Sequence, residues 1–170
     1  MSSGAPAATM TGAPQSQTQG RRQPMLKETH ANVESSRSAQ STRARMVDTV
    51  YCYFDEVLGQ GRLELIDALM TPGVALRGPA RPESGAGREG LRRFVRKLRG
   101  SAPGVQFALE RRAIQGNKVA VRWRAEGSHP GPVPRGLYVF VFEDDRVAEL
   151  WMHDLDPDSC SAVGLPRRAA

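Results

Sequence analysis

The fold is decided by three consecutive stretches, NKVAVRWRAEGSH (117–129), GLYVFVFEDD (136–145) and RVAELWMHDLD (146–156). Side chains in these stretches follow a period of two, which is typical of β-strands. VQFALERRAI (105–114) precedes them and also predicts a strand. The strings QGN and EDDR between neighbouring stretches are turn-like, as expected for hairpins. The C-terminal half of the chain therefore predicts an antiparallel sheet.

Three helical segments come before these strands. RMVDTVYCYFDEVLGQG (45–61) has apolar residues at helical spacing and ends at its glycines. RLELIDALM (62–70) is the second helix, and VALRGP (74–79) after it predicts a short strand or turn. REGLRRFVRKLRG (88–100) is the third, with an apolar and a basic side. Helices followed by antiparallel strands predict an α+β domain, with the helices packed on one face of a curved sheet.

The predicted domain spans residues 46–158, between two tails. Residues 1–45 lack aromatic side chains and contain few large apolar ones, so burial cannot offset the ordering entropy of the backbone. We expect this N-terminal segment to be disordered, and 159–170 to be a flexible C-terminal tail. The N-terminal segment contains arginines and few acidic residues, which is also typical of an organelle transit peptide. A transit peptide is therefore the alternative to a plain disordered tail.

Composition limits the partners and the compartment. The net charge of +6 comes partly from the N-terminal tail and partly from residues 88–99, without a zinc-finger, RNA-binding or helix-turn-helix pattern, so no specific nucleic-acid binding is expected. No apolar run approaches the roughly 18 residues of a membrane span. Cys52 and Cys160 are too few for a disulfide framework, which fits the reducing cytoplasm.

Four strings in order resemble the SnoaL-like polyketide cyclase family, within the nuclear-transport-factor-2-like superfamily. They are YFDEVLGQGRLELIDALM (53–70), GREGLRRFVRKLRGSAPGVQF (87–107), NKVAVRWRAEGSHPG (117–131) and VFEDDRVAELW (141–151). The resemblance implies a cone-shaped domain whose helices and concave sheet face enclose a deep apolar cavity. Its relatives include cyclases, isomerases, epoxide hydrolases, dehydratases and non-catalytic modules, so the fold alone does not determine the function.

Strand alternation predicts which side chains face the cavity. In 119–129 the apolar face, which contains Trp123 and His129, is predicted to point inward. The segment 136–142 is apolar on both faces, so it is either buried on both sides or part of a homodimer contact, and we expect a homodimer. In 147–155 one face carries Val147, Glu149, Trp151, His153 and Leu155.

The resemblance selects among these faces. It implies that the catalytic carboxylate of the epoxide-hydrolase branch corresponds to His153, and that of the SnoaL branch to Tyr138. For ketosteroid isomerases, the proton-shuttling Asp corresponds to Gly78 and the phenolic donor to Phe54. All three family carboxylates are therefore replaced in this chain.

A histidine can act as a general base near neutral pH, so His153, with His129 and Tyr138 as donors, is the predicted catalytic set. Trp123, Trp151, Phe140 and Phe54 are the predicted substrate-binding residues. A structural role is the alternative throughout: a rim or hydrogen-bonded histidine, and packing aromatic rings.

Two main functions follow. The first is a cyclase, isomerase or hydratase that needs no cofactor and no metal and acts on an apolar polyketide- or terpenoid-like molecule by acid–base chemistry. The second is a non-catalytic small-molecule-binding or assembly module, favoured by the missing carboxylates. A basic interaction protein is a third alternative, supported by charge alone.

Overall fold

The computed structural model describes residues 25–81, 85–127 and 133–155, with side chains described from residue 34 onward. The helices are α1 (Met25–Cys52), which continues into a π-helical turn (Tyr53–Gly59), then a 3-10 turn (Leu63–Leu65), α2 (Ile66–Leu69) and α3 (Gly87–Ser101). The strands are β1 (Met70–Arg77), β2 (Gln106–Gln115), β3 (Lys118–Glu126), β4 (Arg135–Glu143) and β5 (Arg146–Asp154). The predicted order of helices followed by strands is confirmed.

The five strands form one open sheet in the order β1-β5-β4-β3-β2. The pairs β2–β3, β3–β4 and β4–β5 are antiparallel, and the first and last of these are the hairpins that the strings QGN and EDDR predict. β1 pairs with β5 in parallel, which makes the sheet mixed rather than antiparallel throughout. α3 separates β1 from the hairpin strands along the chain. The local periodicity of β1 therefore does not predict which edge of the sheet it joins or in which direction it runs.

Helix α1 begins at Met25, inside the segment that composition predicts to be disordered. No glycine or proline occurs between Met25 and Met46, and alanine, lysine, arginine and glutamate favour helix there. Burial nevertheless starts at the predicted domain boundary, because Met46 is the first buried side chain among those described. The chain divides into two compact units after Ser36, and the core lies in the second. Predictions for residues 1–24 and 159–170 lie outside the described residues.

One face of the sheet is covered by the helices and forms the core. The apolar side of α3 is buried as predicted, through Leu91, Phe94, Val95 and Leu98. The π-helical turn buries Tyr53, Phe54, Val57 and Leu58. Inward residues of β3 and β4 alternate with outward ones along each strand, so the sheet has a concave face under the helices and an outer face without them. None of the described helices is long and apolar enough to span a membrane.

Candidate functional site

Aromatic rings fill the concave face where the family resemblance implies a cavity. Phe54 lies 5.7 Å from Tyr138 and 5.9 Å from Phe107, between ring centroids. Trp123 lies 5.4 Å from both Tyr138 and Phe107. Edge-on and tilted contacts at these distances are favourable for aromatic pairs. Phe140 lies 6.0 Å from Phe54. Three of the predicted substrate-binding residues, Phe54, Trp123 and Phe140, thus lie together, and each is at most 1% exposed.

The ring of Trp123 rests on the backbone of Gly136, its neighbour on β4. A Cβ atom at Gly136 would lie 2.4 Å from the indole, so only glycine leaves room for the ring in this position. The indole Nε1 is buried and has no hydrogen-bond acceptor among the described residues. Buried donors normally have a partner, so this N–H is a candidate for contact with a ligand.

Asp154 lies in the same row of the sheet and was not predicted from the sequence as a site residue. Trp123 pairs with Gly136 on one side, and Gly136 pairs with Asp154 on the other. Both carboxyl oxygens of Asp154 are shielded from solvent. Tyr138 is paired with Met152, so its side chain is a diagonal neighbour of Asp154 on the concave face. An acid, a phenol and an indole N–H therefore converge at one end of the concave face.

His153 and Trp151 lie on the outer face, which corrects the predicted strand parity. β5 pairs Glu149 with Val141 but Val147 with Phe142, which leaves Ala148 as an extra residue. Such a β-bulge shifts the alternation by one position. After it, Leu150, Met152 and Asp154 point inward, opposite Phe140, Tyr138 and Gly136.

Within the described part of the chain, the predicted catalytic residues His153, His129 and Tyr138 are not found together. Tyr138 is on the concave face and 1% exposed, whereas His153 pairs with Leu137 on the outer face. His129 lies outside the described residues. Of the three, Tyr138 alone is placed on the concave face by the described part of the chain.

Trp151 belongs to a polar cluster on the outer face, rather than to a substrate-binding surface on the concave one. Its side chain is 39% exposed, and its Nε1 donates to Glu149 Oε2 at 3.0 Å. The same carboxylate oxygen accepts from Arg77 Nε at 3.2 Å. The Arg77 guanidinium carbon also lies 5.8 Å from the centroid of the Trp151 ring, within cation–π range.

Two neighbouring clefts follow the seam between α1 and the edge strand β2. The first has a volume of about 330 Å³ and runs over β2 and β3 beside Val47, Tyr51 and Arg112. The second, of about 410 Å³, lies beside Phe54 and the adjoining residues of the π-helical turn. Tyr51 and Leu109 line both, so the two clefts adjoin each other along the seam.

Burial shifts the pKa of Cys52 and of Tyr53, where α1 continues into the π-helical turn. Burial raises the pKa of the Tyr53 phenol far above its usual range. Burial, followed by the nearby carboxylates of Glu56 and Asp55, also raises the pKa of the Cys52 thiol. Both groups are thus protonated at neutral pH. Within the described ranges, no three histidine, cysteine, aspartate or glutamate side chains are grouped so that they could hold a metal ion.

The basic side of α3 is largely paired with acids. Asp67 accepts from Arg92 at 2.6 Å and lies 3.3 Å from Arg88. Glu89 pairs with Arg92 and Arg96 at 3.6 and 3.4 Å. This pairing reduces the positive charge that phosphates would meet.

Sequence comparison identifies the family. The profile of the SnoaL-like domain matches residues 50–150, which is more than half of the chain. No curated protein sequence matches. The match covers the first three strings that carry the resemblance and all but the last residue of the fourth, includes Trp123, Tyr138 and Gly136, and ends before Asp154.

Solved structures with the same fold come from several bacteria. A proposed polyketide cyclase of Bacillus cereus ATCC 10987 is 20% identical with a TM-score of 0.62, over 72% of this chain and 82% of that one. A proposed SnoaL-like polyketide cyclase of Jannaschia sp. CCS1 is 23% identical with a TM-score of 0.60, over 72% and 94%. IdmH of Streptomyces antibioticus, also a proposed polyketide cyclase, is 20% identical with a TM-score of 0.59, over 71% and 99%. At such identities the likeness shows the fold.

Proposed function

The chain belongs to the SnoaL-like domain family, and we propose that it is a cofactor-free enzyme of cyclase or isomerase type acting on an apolar small molecule. The observation that supports this proposal is the convergence of Asp154, Tyr138 and Trp123 on the concave face. A carboxylate shielded from water, beside two aromatic hydrogen-bond donors, is suited to general acid–base chemistry. The surrounding rings offer an apolar contact surface for the substrate.

Each of the three side chains has a distinct role in the proposed reaction. The Asp154 carboxylate takes a proton from a carbon next to a carbonyl group, and the electron pair of the C–H bond moves onto the carbonyl oxygen. The Tyr138 hydroxyl and the Trp123 Nε1–H donate hydrogen bonds to that developing oxyanion. Asp154 then returns the proton to a different carbon atom, which gives isomerisation. For ring closure, the enolate carbon attacks a second carbonyl carbon, the π pair of that carbonyl moves onto its oxygen, and this oxygen takes the proton from Asp154.

Hydrogen exchange at carbon tests this proposal without knowledge of the natural substrate. Apolar cyclic ketones with a single carbonyl group, whose α C–H exchanges slowly without a catalyst, are incubated with the protein in D2O, and exchange of that C–H is followed by NMR. We expect Asp154→Asn to slow the protein-dependent exchange by about 10²–10⁴-fold, the usual contribution of one general base. Asp48→Asn, which removes an exposed carboxylate of α1, serves as the matched control.

Two outcomes would contradict the assignment of Asp154. If Asp154→Asn retains full exchange activity, the carboxylate is not the base. If His153→Gln removes the activity instead, the base is the histidine of the outer face. Tyr138→Phe is expected to reduce the rate without abolishing it, because the Trp123 N–H still donates.

A binding module is the second candidate function, and the packing of the concave face favours it. Tyr53, Phe54 and Phe140 fill that face with ring centroids 5.4–6.0 Å apart. A filled interior leaves less room for a reacting substrate than an open cavity does. Saturable binding of apolar ligands, without any protein-dependent exchange on ketones, esters or epoxides, would support this function over catalysis.

A further inference from the structure

The first cleft of the α1–β2 seam combines an apolar floor with a positively charged rim. Val50, Val119 and Val121 form the floor and are at most 2% exposed. Val47 and Leu109 add half-buried apolar walls. Its volume of about 330 Å³ is at the small end of the range of small-molecule sites. The rim carries Tyr51, Glu110, Arg111 and Arg112.

A β-bulge directs Arg112 towards this cleft. β2 pairs Leu109 with Trp123 and Arg111 with Arg122, so Glu110 is an extra residue in the strand. The bulge shifts the alternation, and Arg112 becomes the partner of the inward-facing Val121. Without the bulge, that inward position would fall to Arg111. Bulges are often found where a strand presents a side chain to a ligand.

Tyr51 holds the Arg112 guanidinium in place. Arg112 Nη1 donates to the Tyr51 hydroxyl at 3.1 Å, and the guanidinium carbon lies 5.8 Å from the centroid of the Tyr51 ring. This hydrogen bond uses one of the five N–H donors of the guanidinium, and the other donors remain available to bind an anion. An arginine fixed by an aromatic residue loses less entropy when it binds an anion.

The positive charge of the rim is not neutralised within the described part of the chain. Glu110 is the one acid that lines the cleft, and its carboxylate is 2.8 Å from Arg122. Neither Arg111 nor Arg112 forms an ion pair with a described residue. By contrast, Arg45, Arg62, Arg77, Arg88, Arg92, Arg96, Arg122 and Arg124 each pair with a carboxylate.

We propose that this cleft is a binding site for a small organic carboxylate with an apolar body. The carboxylate forms a bidentate pair with Arg112, with Arg111 adding charge, and the apolar body lies on the valine floor. The site is separate from the convergence of Asp154, Tyr138 and Trp123 and does not depend on the proposed catalysis.

Octanoate is a suitable probe, titrated into the full chain by calorimetry and by NMR of the valine methyl groups. We expect saturable binding that shifts the methyl signals of Val47 and Val50. 1-Octanol lacks the charge and acetate lacks the apolar body, so each should bind at least about tenfold more weakly. Inorganic phosphate should behave like acetate.

The decisive variant is Arg112→Gln, which keeps a polar exposed side chain and removes the charge. It should weaken octanoate binding at least about tenfold. Arg146→Gln removes the same charge from an exposed position at the start of β5 and should leave the affinity unchanged. Val47→Phe fills the cleft from α1 and should also weaken binding, even though Arg112 is retained.

Three results would overturn the proposal. Equal affinity for octanoate and 1-octanol would show that the arginines do not recognise the ligand. If Arg112→Gln and Arg146→Gln weaken octanoate binding equally, the net charge of the protein explains the loss of affinity, and Arg112 has no specific role. Methyl shifts confined to valines other than those of the cleft would place the ligand elsewhere. Asp154→Asn, which tests the proposed catalysis, should leave octanoate binding intact, so the two proposals fail separately.

Discussion

Replacing Tyr53 with phenylalanine is expected to stabilise the domain, although it removes a polar group from the core. Tyr53 has no exposed surface, and its hydroxyl has no hydrogen-bond partner among the described residues. Its ring packs against Phe54 and Phe140, at centroid distances of 5.5 and 5.4 Å. Phenylalanine keeps these ring contacts and removes the group that lost its hydration on burial.

The magnitude follows from two opposing terms. An unsatisfied buried hydroxyl destabilises a protein by about 1–3 kcal/mol. The missing oxygen leaves a gap of roughly 15 Å³, which at about 24 cal/mol per Å³ costs about 0.4 kcal/mol. The net gain is therefore about 1–2 kcal/mol, and at about 4 °C per kcal/mol the midpoint of thermal unfolding should rise by roughly 4–8 °C.

Urea and thermal unfolding of the variant and the parent measure this effect. Tyr51→Phe is the matched control, because that phenol is 46% exposed and its loss should change stability by less than about 0.5 kcal/mol. If Tyr53→Phe destabilises the domain by about 1 kcal/mol or more, then the hydroxyl has a hydrogen-bond partner in solution. The interior around the aromatic cluster would then hold a polar group that bonds to Tyr53.

The same variant predicts a difference in pH dependence. Burial raises the pKa of Tyr53 in the folded state, whereas an unfolded tyrosine titrates near its usual pKa of about 10. Above that pH the unfolded chain loses this proton and the folded chain retains it. The free energy of unfolding should therefore fall with pH, by up to about 1.4 kcal/mol per unit from this group. Tyr53→Phe should lack this component between about pH 10 and 11.

Four further predictions concern packing, assembly and charge. Gly136→Ala forces a Cβ against the Trp123 ring and should destabilise the domain by about 1–3 kcal/mol in urea unfolding, whereas Gly100→Ala, with open space around it, should not. The chain should sediment as a homodimer at micromolar concentration through the outer face of β4, and Val139→Lys should give a monomer. Deleting residues 1–44 should change the thermal midpoint by less than about 2 °C, because the described side chains there are exposed or half-buried. Filter binding should show only weak DNA binding that salt near about 0.15 M abolishes.

The sequence determined the features that depend on neighbours along the chain. The period of two in residues 136–142 and the turn string after it predicted the β4–β5 hairpin, which the structure contains. The apolar positions of α3 predicted its buried side correctly. Strand alternation also predicted that Trp123 points inward, and the structure buries it on the concave face. Each of these follows from local periodicity, which is the same whichever strand lies alongside.

The tertiary structure decided the features that depend on pairing between strands. The bulge at Ala148 turned Trp151 and His153 to the outer face and Asp154 to the inner one, and a bulge depends on the partner strand. Gly136 and Asp154 came into one row with Trp123 only through the register of three strands. β1 pairs in parallel with β5, the last strand, although α3 leads along the chain from β1 to β2 at the opposite edge of the sheet. Periodicity shows that side chains alternate, but the hydrogen-bonded register decides which of them meet.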